Sequence, residues 1–287
     1  MIRELEFAVG ENEHGESAER FLKKRGFSHK LITSLKASGG LTRGGELLRT
    51  VDILHTGDTV SVRMEDKGTV LPNPGVKAGI AFENEDVIVF DKPPGVAVHP
   101  SIIHYGDTLG NLYAALYPNS AFRPIHRLDK DTSGLVACAK NKLAASVLSG
   151  RVEKTYYAVV SGELAERGEI NAPIGRADGS IIRREVRADG QSAVTLYKPV
   201  LYKNGRTLLE ISLRTGRTHQ IRVHFSYIGY PLCGDEMYGG DRSEIRRQAL
   251  HCGKMRFEAL SGGLVEIESP LPEDITELIG QRSDMFI

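Results

Sequence analysis

The hydrophobic pattern of residues 1–64 predicts two short helices followed by a small sheet. Apolar residues recur at helical spacing within 17–25 and within 28–38, and each segment starts at a serine that can cap a helix and ends at glycine. A Thr-Gly-Asp turn at 56–58 then leads into a segment in which apolar and polar residues alternate as in a strand. Together these signals predict a small αβ module at the start of the chain.

From residue 77 onward, short apolar runs outnumber the segments with helical periodicity. The predicted strands are Val87–Phe90, Val96–Val98, Leu135–Ala139, Tyr156–Val160, Ala193–Tyr197, Thr207–Leu213 and Leu264–Ile267. The predicted helices are Leu109–Leu116, Lys142–Leu148 and His219–Ile228, the last with Thr218 as its N-cap. Because the helices do not alternate strictly with the strands, the predicted fold class is α+β, with a mixed and mostly antiparallel sheet.

Between these two regions, residues 65–76 are rich in turn-forming residues and lack apolar periodicity, which predicts a linker. We therefore expect an N-terminal module at 1–64, a linker at 65–76 and a second domain at 77–287. A chain of 287 residues is long enough to bury one large core and one small one.

The net charge of the chain is zero, but its charges are unevenly distributed. Residues 1–16 carry five glutamates against one arginine, whereas residues 17–64 carry nine Lys and Arg against four acids. A basic region inside a neutral chain suits a protein that docks on phosphate with one face, and a merely solvated surface would explain it equally well.

Three features of the sequence bear on its location. The three cysteines have no paired spacing, which favours a reducing compartment. No stretch approaches the length of a transmembrane helix, and the first residues show no secretory signal. We therefore expect a cytoplasmic protein that is not bound to a membrane, with a monomer as the default state.

Residues 126–134, His-Arg-Leu-Asp-Lys-Asp-Thr-Ser-Gly, place Asp129 on a loop just before an apolar strand. An ionised carboxylate is costly to bury without partners, so this position suits a reaction centre better than a core. Taken alone, Asp129 could equally be an acid that caps a turn.

The segment 216–224, Gly-Arg-Thr-His-Gln-Ile-Arg-Val-His, supplies cations that could serve Asp129. Arg222 would lie one turn along the predicted helix, from where it could form an ion pair with the carboxylate and keep it ionised. Arg217 precedes that helix and could meet a phosphate group, although an exposed surface cation is an equally plain reading.

Lys154 and Tyr156 share one face of a predicted strand. An aromatic ring at this position could stack on a base, a contact worth roughly 1–3 kcal/mol. Without further information, a place in the hydrophobic core would be the simpler reading of Tyr156.

These motifs together resemble the RluA-type family of RNA pseudouridine synthases. Segments 91–100 and 234–240 also match the family in order, and both are expected to be structural. The matched segments extend from about residue 80 to 267, so the resemblance covers the second domain. It implies the pseudouridine synthase fold, with a central catalytic cleft.

The resemblance also implies a role for each site residue. Asp129 would be the essential carboxylate, Arg222 its ion-pair partner, and Tyr156 the ring that packs against the target base. Arg127 would fill the place of the flipped base. The RNA contacts of the cleft would be Arg127, Arg217, His126 and Lys154. The implied reaction converts uridine to pseudouridine and needs neither a cofactor nor a metal.

The N-terminal module resembles the small RNA-binding module of small-subunit ribosomal protein four. That resemblance implies RNA contacts from its helical cations, Lys23, Lys24, Arg25 and Lys30. The expected partner is therefore RNA. Ribosomal RNA is favoured because family members with such a module often act on it, and tRNA is the alternative. A generic αβ cap on the second domain would also explain the module.

Three other classes compete with this interpretation. A hydrolase built on Ser133 and His126 would lack the Gly-x-Ser-x-Gly turn that exposes a nucleophile. A metal enzyme would lack the usual paired spacing of His and Cys ligands. A non-catalytic RNA-binding protein is the serious alternative, and it would have no use for Asp129, Arg222 and Tyr156 in one cleft.

Overall fold

The computed structural model describes residues 2–65, 67–101 and 104–280. This part of the chain forms a small N-terminal module and a larger domain built on a nine-stranded sheet. Among the residues described, no helix combines the length and the apolar character that crossing a bilayer requires.

Residues 2–65 form a four-stranded antiparallel sheet that packs against two helices. In chain order the elements are β1 (Ile2–Ala8), α1 (Ala18–Lys24), α2 (His29–Ser38), β2 (Leu41–Arg43), β3 (Glu46–Leu47) and β4 (Thr59–Glu65). The strands lie in the order β1-β4-β2-β3. The apolar faces predicted from the sequence meet in one core, which includes Phe21, Leu22, Ile32, Leu35, Val60 and Val62.

Local capping sets the limits of both module helices. The Ser17 hydroxyl accepts a hydrogen bond from the backbone N–H of Arg20, and the Ser28 hydroxyl accepts one from Leu31. α2 ends at Gly39, whose φ of +66° is the left-handed conformation that closes many helices. The two predicted helices of this region are confirmed.

The larger domain contains eleven strands and four helices within the described residues. They are β5 (Gly79–Glu83), β6 (Val87–Lys92), α3 (Leu109–Leu116), β7 (Ser133–Ala139), α4 (Lys142–Leu148), β8 (Glu153–Ser161), β9 (Gly168–Asn171), β10 (Ile174–Arg176), β11 (Arg184–Val186), β12 (Val194–Lys203), β13 (Arg206–Leu213), α5 (Gln220–Tyr227), β14 (Leu250–Glu258), β15 (Leu264–Glu268) and α6 (Glu273–Leu278).

The large sheet runs in the order β5-β6-β7-β14-β8-β13-β12-β9, and β15 adds a branch on β14. β14 and β7 are parallel, whereas the other strand pairs of this sheet are antiparallel. β10 and β11 form a separate hairpin. The predicted α+β class with a mixed, mostly antiparallel sheet is thus confirmed.

Two predictions about elements of this domain are wrong. Residues 96–98 are not a strand, because the carbonyl groups of Ala97 and Val98 accept hydrogen bonds from Leu109 and Gly110 and so satisfy the first amides of α3. The N-cap of α5 is His219 rather than Thr218, and His219 has a left-handed φ of +57°.

The module and the linker both pack on the larger domain. Leu143 of α4 lies in the core of the module, and the Ser146 hydroxyl donates to the Gly26 carbonyl oxygen at 2.9 Å. In the predicted linker, Leu71 and Asn73 are hydrogen-bonded through their backbones to Asn111 of α3. The described part of the linker therefore follows the surface of the larger domain.

Candidate active site

A cleft of about 430 Å³ opens where β8 begins and β13 ends. Its walls are the loop 125–132 before β7, the turn 150–152 before β8, and residues 213–222, which connect β13 to α5. The predicted site residues Arg127, Asp129, Lys154, Tyr156, Arg217 and Arg222 line this cleft together with His126. A volume of this size can enclose one small ligand.

An ion pair joins Asp129 to Arg222 inside the cleft. Arg222 Nη1 donates to Asp129 Oδ2 at 2.9 Å, although the two residues are 93 positions apart in the sequence. The Asp129 side chain is 22% exposed, whereas that of Arg222 is 8% exposed. The carboxylate thus has one face on a buried cation and another face open to a ligand.

Asp235 holds the other side of the same guanidinium. Arg222 Nε and Nη2 donate to the two carboxylate oxygens of Asp235 at 2.7 and 2.8 Å. The Asp235 side chain is only 1% exposed. It follows a turn at Gly234, which has a φ of +76° and where a Cβ atom would collide with the carbonyl oxygen of Arg247. This two-bond contact fixes the plane of Arg222 and leaves Nη1 pointing at Asp129.

His219 lies on a third side of Asp129. Its Nε2 atom is 3.7 Å from Asp129 Oδ2, and its Nδ1 atom is 2.8 Å from the Tyr238 hydroxyl. Burial lowers the pKa of His219, so its ring is neutral at pH 7.

The loop that carries Asp129 is anchored by two buried basic side chains. Lys92 Nζ donates to the carbonyl oxygen of Lys130 at 2.9 Å, and Arg247 Nη1 donates to that of Asp131 at 3.3 Å. Burial lowers the pKa of Lys92 to about 7. The backbone on either side of Asp129 is therefore anchored to the larger domain.

Tyr156 and Lys154 project into the cleft from β8. Tyr156 is 6% exposed, and burial raises the pKa of its phenol well above the usual value, so the ring is neutral. Lys154 Nζ donates to the carbonyl oxygen of Val152 at 2.6 Å, and desolvation lowers its pKa. Tyr156 thus offers a rigid aromatic edge and a neutral hydroxyl, and it is not a base.

The remaining predicted cleft residues differ in their exposure and in their hydrogen-bond partners. Arg127 is exposed at the rim, and Arg217 Nε donates to the carbonyl oxygen of Ser192 at 3.0 Å. His126 Nε2 contacts the carbonyl oxygen of Leu135 at 3.1 Å, while its Nδ1 atom is buried without a hydrogen-bond partner in the described structure. Burial lowers the pKa of His126 to about 3, so it enters the cleft wall as a neutral ring.

The predicted RNA contacts of the module lie outside the cleft, and three of the four residues form ion pairs with glutamates of the module. Lys23 and Lys24 pair with Glu19 and Glu16 at 2.7 and 2.5 Å. Arg25 pairs with Glu13 and stacks on the ring of Phe21, with 3.5 Å between the guanidinium carbon and the ring centroid. Lys30 is exposed at the start of α2.

Sequence reasoning missed three members of the site: Asp235, His219 and Tyr238. Asp235 and Tyr238 lie in the segment 234–240, which we had expected to be only structural because of its glycines. No local signal separates Asp235 from its neighbour Glu236, yet the Asp235 side chain is 1% exposed and that of Glu236 is 73% exposed. Among the described residues, no group of three or more His, Cys, Asp or Glu could hold a metal ion.

The arrangement of Asp129, Arg222 and Tyr156 suits a reaction at a carbon atom that is bonded to a planar ring. An ionised carboxylate held by a buried guanidinium can attack an electrophilic carbon or take up a proton, and a neutral aromatic ring nearby can hold a planar ligand. The exposed arginine at the rim can meet phosphate or stack on a base.

Comparison with known proteins agrees with this chemistry. The sequence profile of the RNA pseudouridylate synthase family matches residues 86–227. YjbO of Bacillus subtilis, named as an uncharacterized RNA pseudouridine synthase, is 40% identical over an alignment of 269 positions that covers 88% of this chain and 95% of that protein. Ribosomal large subunit pseudouridine synthase D of Pseudomonas aeruginosa is 37% identical over an alignment of 278 positions that covers 87% of each protein.

A solved structure extends the comparison to the fold. Human RNA pseudouridylate synthase domain containing 1 matches with a TM-score of 0.56 and 28% identity, and the match covers 69% of this chain and 85% of that one. The chain therefore belongs to the RNA pseudouridine synthase family and is an isomerase that acts on RNA.

Proposed function

We propose that this pseudouridine synthase modifies a uridine of ribosomal RNA and that Asp129 is its catalytic carboxylate. The observation that carries the proposal is the ion pair of Asp129 with Arg222, at 2.9 Å, in a cleft that Tyr156 also lines. A protein that only binds RNA gains nothing from a carboxylate held in this way, because a negative charge repels phosphate.

In this proposal the cleft receives a single nucleotide that has left its stack. The reaction breaks the bond between uracil N1 and the ribose anomeric carbon and joins uracil C5 to that carbon. C5 loses its proton to solvent and N1 gains a proton, so the product is an isomer of the substrate. Asp129 serves as the nucleophile or the base, Arg222 holds it in place through the ion pair, and Tyr156 packs against the uracil.

Unstacking the target costs a few kcal/mol, and the cations at the cleft rim offset part of that cost. Arg127 stacks in the gap that the uridine leaves, while Arg217 and Lys154 contact the RNA backbone. His126 contributes as a neutral part of the wall, because its pKa is about 3.

Ribosomal RNA is the proposed substrate because relatives from several bacteria are named ribosomal large subunit pseudouridine synthase D. The N-terminal module, similar in its predicted elements to the RNA-binding module of ribosomal protein four, would add a second contact through Lys23, Lys24, Arg25 and Lys30. We further propose that the enzyme works as a monomer in the cytoplasm, without a cofactor. The three cysteines are free thiols, as a reducing compartment requires.

Replacing Asp129 tests the assignment directly. Asp129→Asn is expected to bind RNA as the unaltered chain does but to form no pseudouridine. The assay is the release of tritium from RNA labelled at uracil C5, with large-subunit ribosomal RNA and tRNA compared as substrates. Asp131→Asn is the matched control, because Asp131 is an exposed acid of the same loop and should keep full activity. Turnover by Asp129→Asn would refute the catalytic role.

A further inference from the structure

Tyr238 contacts two side chains next to Asp129, those of His219 and Arg222. Its hydroxyl is 2.8 Å from His219 Nδ1, and the guanidinium carbon of Arg222 lies 5.0 Å from the centroid of its ring. Tyr238 is itself 5% exposed, and its carbonyl oxygen accepts a hydrogen bond from the Ser226 hydroxyl at 2.8 Å. One rigid aromatic residue thus supports two neighbours of the carboxylate.

A backbone amide favours one direction for the hydrogen bond between Tyr238 and His219. The N–H of Arg184 in β11 donates to the Tyr238 hydroxyl at 3.0 Å, and an amide nitrogen cannot act as acceptor in return. Burial raises the pKa of Tyr238, so the hydroxyl keeps its proton at neutral pH. The neighbour left to receive that proton in a hydrogen bond is Nδ1 of His219.

The tautomer of His219 follows from this direction. A neutral imidazole whose Nδ1 atom accepts a hydrogen bond must carry its own proton on Nε2. Nε2 is the atom that faces Asp129 Oδ2, at 3.7 Å. That distance is longer than a hydrogen bond, and such contacts commonly shorten when the substrate enters.

We propose that Tyr238 is a positioning residue for the isomerisation: it fixes His219 as the tautomer protonated on Nε2 and so makes His219 a second hydrogen-bond donor to Asp129. The inference rests on the proposed catalytic role of Asp129. The left-handed backbone of His219 supports it, because residues other than glycine seldom adopt that conformation and such residues cluster at functional sites.

The first test reads the tautomer and needs no RNA. In full-length protein labelled with ¹⁵N at histidine, the ring of His219 should show a non-protonated Nδ1 and a protonated Nε2 at pH 7. In Tyr238→Phe, which keeps the ring but lacks the hydroxyl, the two signals should move toward each other as both tautomers become populated. His219→Asn identifies the signals, since asparagine tolerates the left-handed backbone. Tyr227→Phe is the matched control, because Tyr227 is 62% exposed at the end of α5.

The second test separates positioning from binding. Loss of one preorganised donor commonly lowers kcat by about 100-fold or more. This loss is expected for His219→Asn, because its short amide cannot bring an N–H to the position of the His219 Nε2 atom. Tyr238→Phe acts indirectly and should lower kcat by about 10-fold with an unchanged KM. His219→Gln is one methylene longer than asparagine, so it can place an N–H near that position and should recover part of the activity. When Tyr238→Phe is added to His219→Gln, kcat should fall no further, since both residues act through one contact.

Three results would overturn the proposal: a protonated Nδ1 in the unaltered protein, identical His219 signals in Tyr238→Phe, or a full additive loss of kcat in the double variant. If the unaltered protein formed no pseudouridine, the proposed function would fail instead. The ¹⁵N measurement would still decide the tautomer in that case, so the two failures are distinguishable.

Discussion

The cleft around Asp129 and the N-terminal module both concentrate opposite charges, but they hold them in different ways. In the cleft, Arg222 and Asp235 are 8% and 1% exposed, and the guanidinium is shared between two carboxylates. In the module, the Lys23 and Lys24 side chains are 52% and 46% exposed, and each contacts a glutamate, Glu19 at 33% and Glu16 at 12% exposure. The charged side chains of the cleft are therefore shielded from solvent, whereas the lysines of the module are open to it.

This difference in solvation decides what each set of charges can do. Exposed pairs are worth about 0–1 kcal/mol, so a phosphate group can replace the glutamate at little cost. A buried pair cannot lose one member cheaply, because the remaining charge would be left without a partner. The cleft charges are thus suited to hold one geometry, and the module charges are suited to exchange partners.

The largest effect is expected from breaking the buried pair. In Asp235→Asn, the isosteric amide keeps one acceptor but removes the charge that holds Arg222. We expect the free energy of unfolding to fall by about 3–5 kcal/mol. We also expect kcat to fall by about 100-fold, because small displacements of a catalytic group cost this much. Urea unfolding and tritium release measure the two quantities.

A neighbouring residue provides the control for this variant. Glu236 follows Asp235 and pairs with Arg242 at 2.7 Å, but its side chain is 73% exposed. Glu236→Gln should change the free energy of unfolding by less than about 1 kcal/mol and leave kcat unaltered. Equal effects in the two variants would show that burial does not distinguish these pairs.

The cleft was predictable from the sequence only where local motifs carry the chemistry. Asp129 and Arg222 were recognised from two short segments, but neither segment alone indicates that they meet across 93 positions. Asp235 was missed because its glycine neighbours suggested a turn and nothing more. The central strand β14 was missed as well, because Gly253 and Lys254 interrupt its apolar run.

In the module, the capped helices were predicted correctly because capping depends on neighbours within one turn. The ion pairs of the same helices were not predicted. The pair of Arg25 with Glu13 joins α1 to the segment after β1, and such placement depends on how the elements pack. β1 itself was missed because its side chains are exposed or only partly buried, so its apolar signal is weak.

A smaller effect is expected where the two regions meet. Along 150–153, Gly150 and Val152 line the cleft, whereas Arg151 and Glu153 line a groove that the larger domain shares with Phe7 and Arg25 of the module. RNA that extends from the cleft toward the module would pass Arg151, whose side chain is exposed. We therefore expect Arg151→Ala to reduce the slope of log affinity against log salt concentration by about 0.7–0.9.

Arg167→Ala is the control for Arg151, because Arg167 is also an exposed arginine and precedes β9, an edge strand of the large sheet. For Arg167→Ala, the slope of log affinity against log salt concentration should equal that of the unaltered protein. RNA affinity would be measured by fluorescence anisotropy between low and moderate salt. An unaltered slope in Arg151→Ala would mean that the RNA does not cross this junction.

The smallest effect should distinguish cations within the module. The Lys30 side chain is exposed and forms no hydrogen bond or ion pair within the described residues, whereas the Lys24 ammonium is 2.5 Å from Glu16. A phosphate that binds Lys24 must first displace the glutamate, so Lys30→Ala should weaken RNA binding more than Lys24→Ala does. Both variants should keep the stability of the unaltered chain within about 0.5 kcal/mol, as surface substitutions usually do. The same anisotropy titrations measure the difference, and a larger loss in Lys24→Ala would show that its glutamate orients the lysine for RNA instead of competing with it.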